Sequence, residues 1–180
     1  MYALIAIFDE TTEKLLKNIW KELKERDISA YAYEVEDRRP HMTLASYNNL
    51  NIADFKEQMD EIYKNQSDID IKFNTIGSFF NSSTLFFSPT ITKELIEFHT
   101  SHHKYFERFN DNPNSQYLPG NWIPHSTIAN RLSPKKLTEA FNYCLIKGST
   151  ILGKIVEVAL IDGSDKSKSL IIYSKELKRT

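Results

Sequence analysis

The chain has almost no cysteine. Cys144 is its single one, so no internal disulfide can form, as expected of a reducing compartment. No local pattern marks this thiol as activated, and it falls in an apparently helical stretch, so it reads as a core residue rather than a nucleophile. An excess of charge is missing too. With 23 basic residues against 24 acidic ones, the chain lacks the basic surplus of a protein that coats long nucleic acid; a small anionic ligand or an RNA end remains compatible. Long hydrophobic runs are also absent. The apolar stretch Tyr2-Ala3-Leu4-Ile5-Ala6-Ile7-Phe8 is too short for a membrane span and has no basic leader, so it reads as a buried strand of a cytoplasmic protein with no membrane association. No linker-like segment divides the sequence.

What is present supports a real core. In 180 residues, 41% are hydrophobic and 12% aromatic, enough for one domain, or for two small lobes sharing a cleft. The whole of 1–180 is therefore read as a single bilobal domain, expected to be a monomer.

Taken in order, the first strand is followed by a helix capped by Thr11 or Thr12 and running to about Arg26, with Leu15, Leu16, Ile19, Trp20 and Leu23 at helical spacing. The alternation from Ile28 to Val35 predicts a strand, and Glu36-Asp37-Arg38-Arg39 a charged loop. A strand from His41 leads to a helix from Asn51 through Ile52, Phe55, Met59 and Ile62. Two strands in hairpin relation, Ile69 to Phe80 and Thr84 to Ser88, flank Asn81-Ser82-Ser83. A helix of about Ile91 to Phe109 and a polar loop from Asn110 to Gln116 come next, then Ser133-Pro134 opens a fourth helix. Strands of about Ile151 to Ile161 and Ser169 to Tyr173 close the chain around Asp162-Gly163-Ser164-Asp165. The order repeats itself. It predicts an α+β fold of two similar strand-helix-strand units, related by a pseudo-twofold, with mostly antiparallel sheets and a central cleft.

One string occurs twice. Pro40-His41-Met42-Thr43-Leu44-Ala45 returns as Pro124-His125-Ser126-Thr127-Ile128-Ala129. On a regular strand His41, Thr43, Ala45 and Tyr47 share one face, and His125, Thr127, Ala129 and Arg131 another. Each copy then offers an imidazole and a hydroxyl roughly 6–7 Å apart. A lone His-x-Thr on a strand means little; two copies in equivalent places carry the weight. Two imidazoles in opposite protonation states can take a proton from an attacking oxygen and give one to a leaving oxygen. Thr hydroxyls can donate to phosphate oxygens. The set suits phosphoester chemistry without a metal or other cofactor.

At these residues the sequence resembles the 2H phosphoesterase superfamily, which includes 2′-5′ RNA ligase-like proteins and cyclic nucleotide phosphodiesterases. Both motifs match its paired His-x-Thr pattern, while elsewhere the resemblance is one of layout. It implies a bilobal fold with the motifs facing each other across a cleft, and metal-independent action on 2′,3′-cyclic phosphates or 2′-5′ linkages of nucleotides or RNA ends. It assigns His41 and His125 to catalysis and Thr43 and Thr127 to phosphate binding. The alternative reading is a module that binds a nucleotide or RNA end in the same cleft without turning it over.

Around the motifs, Arg131, Tyr47 and Tyr117 are candidate substrate contacts, Arg38 and Arg39 candidate steering charges, and Trp122 a core residue or a stacking platform. His99, His102 and His103 stand at helical spacing that permits a metal pair, yet no acidic or Cys ligand completes a pattern, and His102 equally suits a packed helix face. The turn at Asp162-Gly163-Ser164-Asp165 lacks the spaced acids of a calcium loop.

Overall fold

In the computed structural model, which describes residues 1–164 and 167–180, seven strands and four α-helices form an α+β fold. The strands are β1 (Tyr2–Phe8), β2 (His41–Tyr47), β3 (Ile69–Phe79), β4 (Thr84–Pro89), β5 (Ser126–Ala129), β6 (Ile151–Asp162) and β7 (Leu170–Glu176). The helices are α1 (Glu10–Glu25), α2 (Ile52–Tyr63), α3 (Lys93–Tyr105) and α4 (Pro134–Lys147). The strands make one sheet in the order β2-β1-β6-β3-β4-β5, with β7 also on β6, and all of these pairings are antiparallel.

The duplication works through β6. Ile151 to Ile155 register with β3, while Ile155 to Asp162 register with β1 and Glu157 to Asp162 with β7. One long strand therefore belongs to both halves, and the motif strands β2 and β5 end up at the two extremes of the path. They approach each other there, which curves the sheet around a cleft.

Helices cover the opposite face. α1 buries Leu16, Trp20 and Leu23, and burying Leu16 and Leu23 contributes about 1.5–3 kcal/mol each. Its cap is Asp9 rather than Thr11 or Thr12. The Asp9 carboxylate accepts from Thr12 N–H at 3.0 Å, from the Thr12 hydroxyl at 2.7 Å and from Lys154 N–H at 2.6 Å. Gly153 lets the helix end dock there, since a Cβ would lie 1.8 Å from Thr12 Oγ1. Asn51, Thr92 and Ser133 cap α2, α3 and α4, with Pro134 in the first turn. Cys144 is buried on α4, where burial pushes its thiol up to about 12, in keeping with a core role.

Two further expectations are corrected. Ile28 to Val35 is not a strand: Tyr31–Tyr33 form a single 3₁₀ turn. The two tyrosines read as alternation, but each is drawn to a different partner, Tyr31 to the edge of Trp20 and under Arg38, Tyr33 under Lys24. The third helix is shorter than Ile91 to Phe109, ending at Tyr105 before a 3₁₀ turn at Glu107–Phe109. The last residue of the Asp162-Gly163-Ser164-Asp165 turn lies outside the described residues. Among the described residues no helix is long and apolar enough to cross a membrane.

Candidate active site

The two motifs fold alike in detail. In β2 the register against β1 runs Ile7 to His41, Ala6 to Met42 and Ile5 to Thr43, then skips Leu44 so that Leu4 faces Ala45. In β5 the register against β4 runs Phe87 to Ser126 and Phe86 to Thr127, then skips Ile128 so that Leu85 faces Ala129. Each motif thus carries a β-bulge one residue after its Thr. A bulge inserts one residue and reverses which face the following side chains occupy. The burial pattern records it, with Leu44 and Ala45 both buried, and Ile128 and Ala129 likewise.

This shift decides the neighbours. Tyr47, expected on the face of His41, lies on the core side with 1% exposure, its hydroxyl 2.7 Å from His102 Nε2. It does not line the cleft. Ser46 and Asn130 take the positions expected for Tyr47 and Arg131. Arg131 sits beyond the strand end with φ 54°, exposed and paired with Glu34. It still lines a groove of about 580 Å³ together with Tyr31, Glu34, Arg38, His41 and Lys168.

The imidazoles are held in matching ways. His41 Nδ1 lies 2.7 Å from Arg39 O, and His125 Nδ1 lies 2.7 Å from Ile123 O. A carbonyl only accepts, so each Nδ1 carries the proton and each neutral ring keeps Nε2 as a free base. Burial pushes both rings below the ordinary imidazole range, against the pull of those carbonyls. At His41 the charges of Arg38 and of a protonated His125 add to the lowering. The two rings therefore feel each other: a proton on one disfavours a proton on the other.

The cleft floor is apolar. Ile5 and Ile7, opposite Thr43 and His41, form a small buried cluster with Ala159. On the other side Phe79 and Phe86 pack against His125 with ring centroids 4.9 and 5.2 Å away. Phe86 reaches it by lying across Gly77, where a Cβ would fall 2.7 Å from the ring. The ends thus differ: charged and polar beside His41, aromatic beside His125.

Tyr31 belongs to the site although no motif marked it. Its hydroxyl hydrogen-bonds with the Thr127 side chain, the Arg38 guanidinium lies 3.9 Å from its ring centroid, and Tyr117 stands close enough to affect its ionisation. Burial raises its pKa, so it stays a neutral phenol. Tyr117 is half-buried, and its carbonyl lies 2.8 Å from His99 Nε2. Arg39 turns away and pairs with Glu13 and Glu157, which leaves Arg38 as the guanidinium beside His41. Trp122 packs against the core and stacks flat on His99 at 3.8 Å.

The α3 histidines are structural. His102 bridges the hydroxyls of Tyr47 and Tyr63 at 2.7 and 2.8 Å, and His103 Nε2 lies 3.1 Å from Leu44 O at the first bulge. With His99 on Tyr117 O, the three rings spend nitrogens on separate partners instead of converging on one point.

No curated protein matches the sequence. Solved structures do match its fold. E. coli LigT complexed with 3′-AMP superposes with a TM-score of 0.64 at 12% identity, covering 98% of this chain and 97% of that one. A Thermus thermophilus protein gives 0.64 at 13% identity, covering 99% and 98%. Usb1 of Kluyveromyces marxianus gives 0.50 at 10% identity, covering 91% and 94%. At these identities the likeness is one of fold. The family model of the 2′-5′ RNA ligase superfamily matches residues 13–166, a span that contains both motifs. By that match the chain belongs to the 2′-5′ RNA ligase superfamily, the 2H phosphoesterases.

Proposed function

We propose that this chain is a metal-independent phosphodiesterase that opens a 2′,3′-cyclic phosphate on a nucleotide or an RNA end. The observation that carries the reading is the pair of imidazoles, each anchored through Nδ1 and each with Nε2 left free for proton transfer. Water attacks the cyclic phosphorus and gives its proton to one Nε2. The other imidazole, protonated on both nitrogens, donates to the departing 2′ or 3′ oxygen, so a phosphomonoester and a hydroxyl form and the proton count closes. Thr43 and Thr127 donate to non-bridging oxygens as charge grows on them.

The surroundings favour a division of roles. Arg38 disfavours the imidazolium of His41, so His41 acts as the base and His125 as the acid. Arg38 and Arg131 line the groove with His41, Tyr117 lies near Tyr31 and Phe79 packs on His125, which supports reading Arg38, Arg131 and Tyr117 as phosphate or nucleotide contacts and Phe79 as an aromatic surface for a base. E. coli LigT has been crystallised with 3′-AMP, with NADP⁺ and with ATP, which agrees with a nucleotide substrate here.

The test is a product assay on 2′,3′-cyclic mononucleotides, RNA with a cyclic phosphate end and 2′-5′ linked dinucleotides, each with EDTA. Turnover of a cyclic phosphate to a single phosphomonoester isomer, undiminished by chelator, is the expected result. Binding of the product nucleotide with no turnover across the panel overturns the enzyme reading in favour of a binding module.

A further inference from the structure

The sequence contains two tryptophans, and both are spent on the same kind of bond. Trp20 of α1 donates from Nε1 to Thr127 O at 3.2 Å, and Trp122, just before β5, donates from Nε1 to Thr43 O at 2.9 Å. The bonds cross. The tryptophan from the first half of the chain holds the second motif, and the one from the second half holds the first. Both acceptors are carbonyls of the motif threonines, immediately before the bulges.

The need for these donors follows from the sheet. Among the described residues β2 pairs with β1 alone and β5 with β4 alone, and the two strands approach each other across the cleft. An unpaired carbonyl in a partly buried strand costs free energy, and two such edges side by side are a template for strand pairing. If β2 and β5 zipped together, the space between the imidazoles would close. Indoles satisfy the carbonyls instead. Each ring is itself braced: Trp20 is 5% exposed and meets the Tyr31 ring edge-on at 5.9 Å, and Trp122 lies parallel to His99.

We infer that Trp20 and Trp122 are positioning residues, a crossed pair of indole latches that sets the distance and orientation between the two His-x-Thr strands. This rests on the proposed two-histidine reaction for its kinetic consequence, though the latch itself is observable without turnover. Neither indole touches substrate. Their effect passes through the Thr43 and Thr127 backbone, and misplacement of reacting groups by about 1 Å is enough to cost about 10²-fold in rate.

The test uses the full chain with each tryptophan replaced by Phe, singly and together, and with benzothienylalanine, which keeps the bicyclic ring but lacks the N–H. Two indole N–H signals should be resolved by NMR, both slow to exchange with solvent. Replacing one tryptophan should speed exchange of the other, because each latch supports the cleft that the other closes. For catalysis, kcat should fall about tenfold or more in each single variant with KM changed less than about threefold, and the double variant should fall by less than the product of the singles. The benzothienyl variants should reproduce the loss even if a Phe variant fails to fold. A melting temperature that drops while kcat stays within about twofold of wild type overturns the positioning role. If the wild type turns over no substrate, the reaction reading fails alone; the latch then stands on slow indole exchange and falls if either N–H exchanges at the rate of free indole.

Discussion

Replacing His41 or His125 by Ala is expected to lower kcat/KM for a 2′,3′-cyclic phosphate by about 10²- to 10⁴-fold, the span that a positioned acid or base contributes. Either substitution removes the Nε2 that moves a proton. Each residue is half-buried, and among the described residues its ring hydrogen-bonds only the carbonyl two residues before it, so neither substitution breaks a long-range hydrogen bond. Melting temperatures should therefore stay near wild type, and KM should change far less than kcat. The double variant should lose less than the product of the two single losses, since acid and base act in one step. Steady-state kinetics on purified variants check this. Activity within about tenfold of wild type in either single variant contradicts the assignment.

The second large effect is on stability in mild acid. His99, His102 and His103 are 1%, 1% and 6% exposed, and burial pushes all three below the ordinary imidazole range, His99 to about 4. A neighbouring His103 adds to the lowering at His99 and at His102. The unfolded chain takes up protons near pH 6.5 while the folded chain refuses them, so the unfolded state binds more protons in between and stability falls as pH falls. The contribution is intact above about pH 6.5 and is lost as pH drops through the folded pKa. For His99 alone the gap from 6.5 to about 4 corresponds to about 3 kcal/mol. Burial raises Asp9 and Glu13, but their hydrogen bonds outweigh it and both end up lowered; their loss comes at still lower pH. Urea unfolding at steps from about pH 7.5 to about 4.5 should show a steep decline beginning near pH 6.5, shallower in His99→Gln. A flat profile across that interval contradicts the neutral buried cluster.

These histidines also show what the sequence makes legible. Helical spacing at His99, His102 and His103 is readable, and packing is among the readings it allows; that His102 would sit between two tyrosine hydroxyls is not, because Tyr47 and Tyr63 come from other elements. The motifs were readable as strings because both copies keep Pro, His, Thr and Ala. Their bulges were not. Leu44 and Ile128 are ordinary strand residues, and only pairing with β1 and β4 reveals that one position is skipped. Strict alternation therefore carried Tyr47 and Arg131 to the cleft face, when the shift gives that face to Ser46 and Asn130. Tyr31 escaped for a related reason: its alternation with Tyr33 mimics a strand, and its bond to Thr127 spans the chain. The crossed tryptophan bonds join residues 107 and 79 positions apart, beyond any local pattern. What was legible is local periodicity and repetition; what was not is the register and long-range contacts that turn a repeat into a site.

The most direct test of the two-histidine mechanism is the pH dependence of kcat/KM, measured in EDTA for wild type, His41→Gln and His125→Gln. Wild type should give a bell whose maximum lies below about pH 6.5, since both imidazoles are held below that ordinary value, with its two limbs belonging to the coupled pair. His41→Gln should abolish the rising limb and His125→Gln the falling one, leaving opposite half-profiles on a much lower rate. A complete bell retained in both variants contradicts the account.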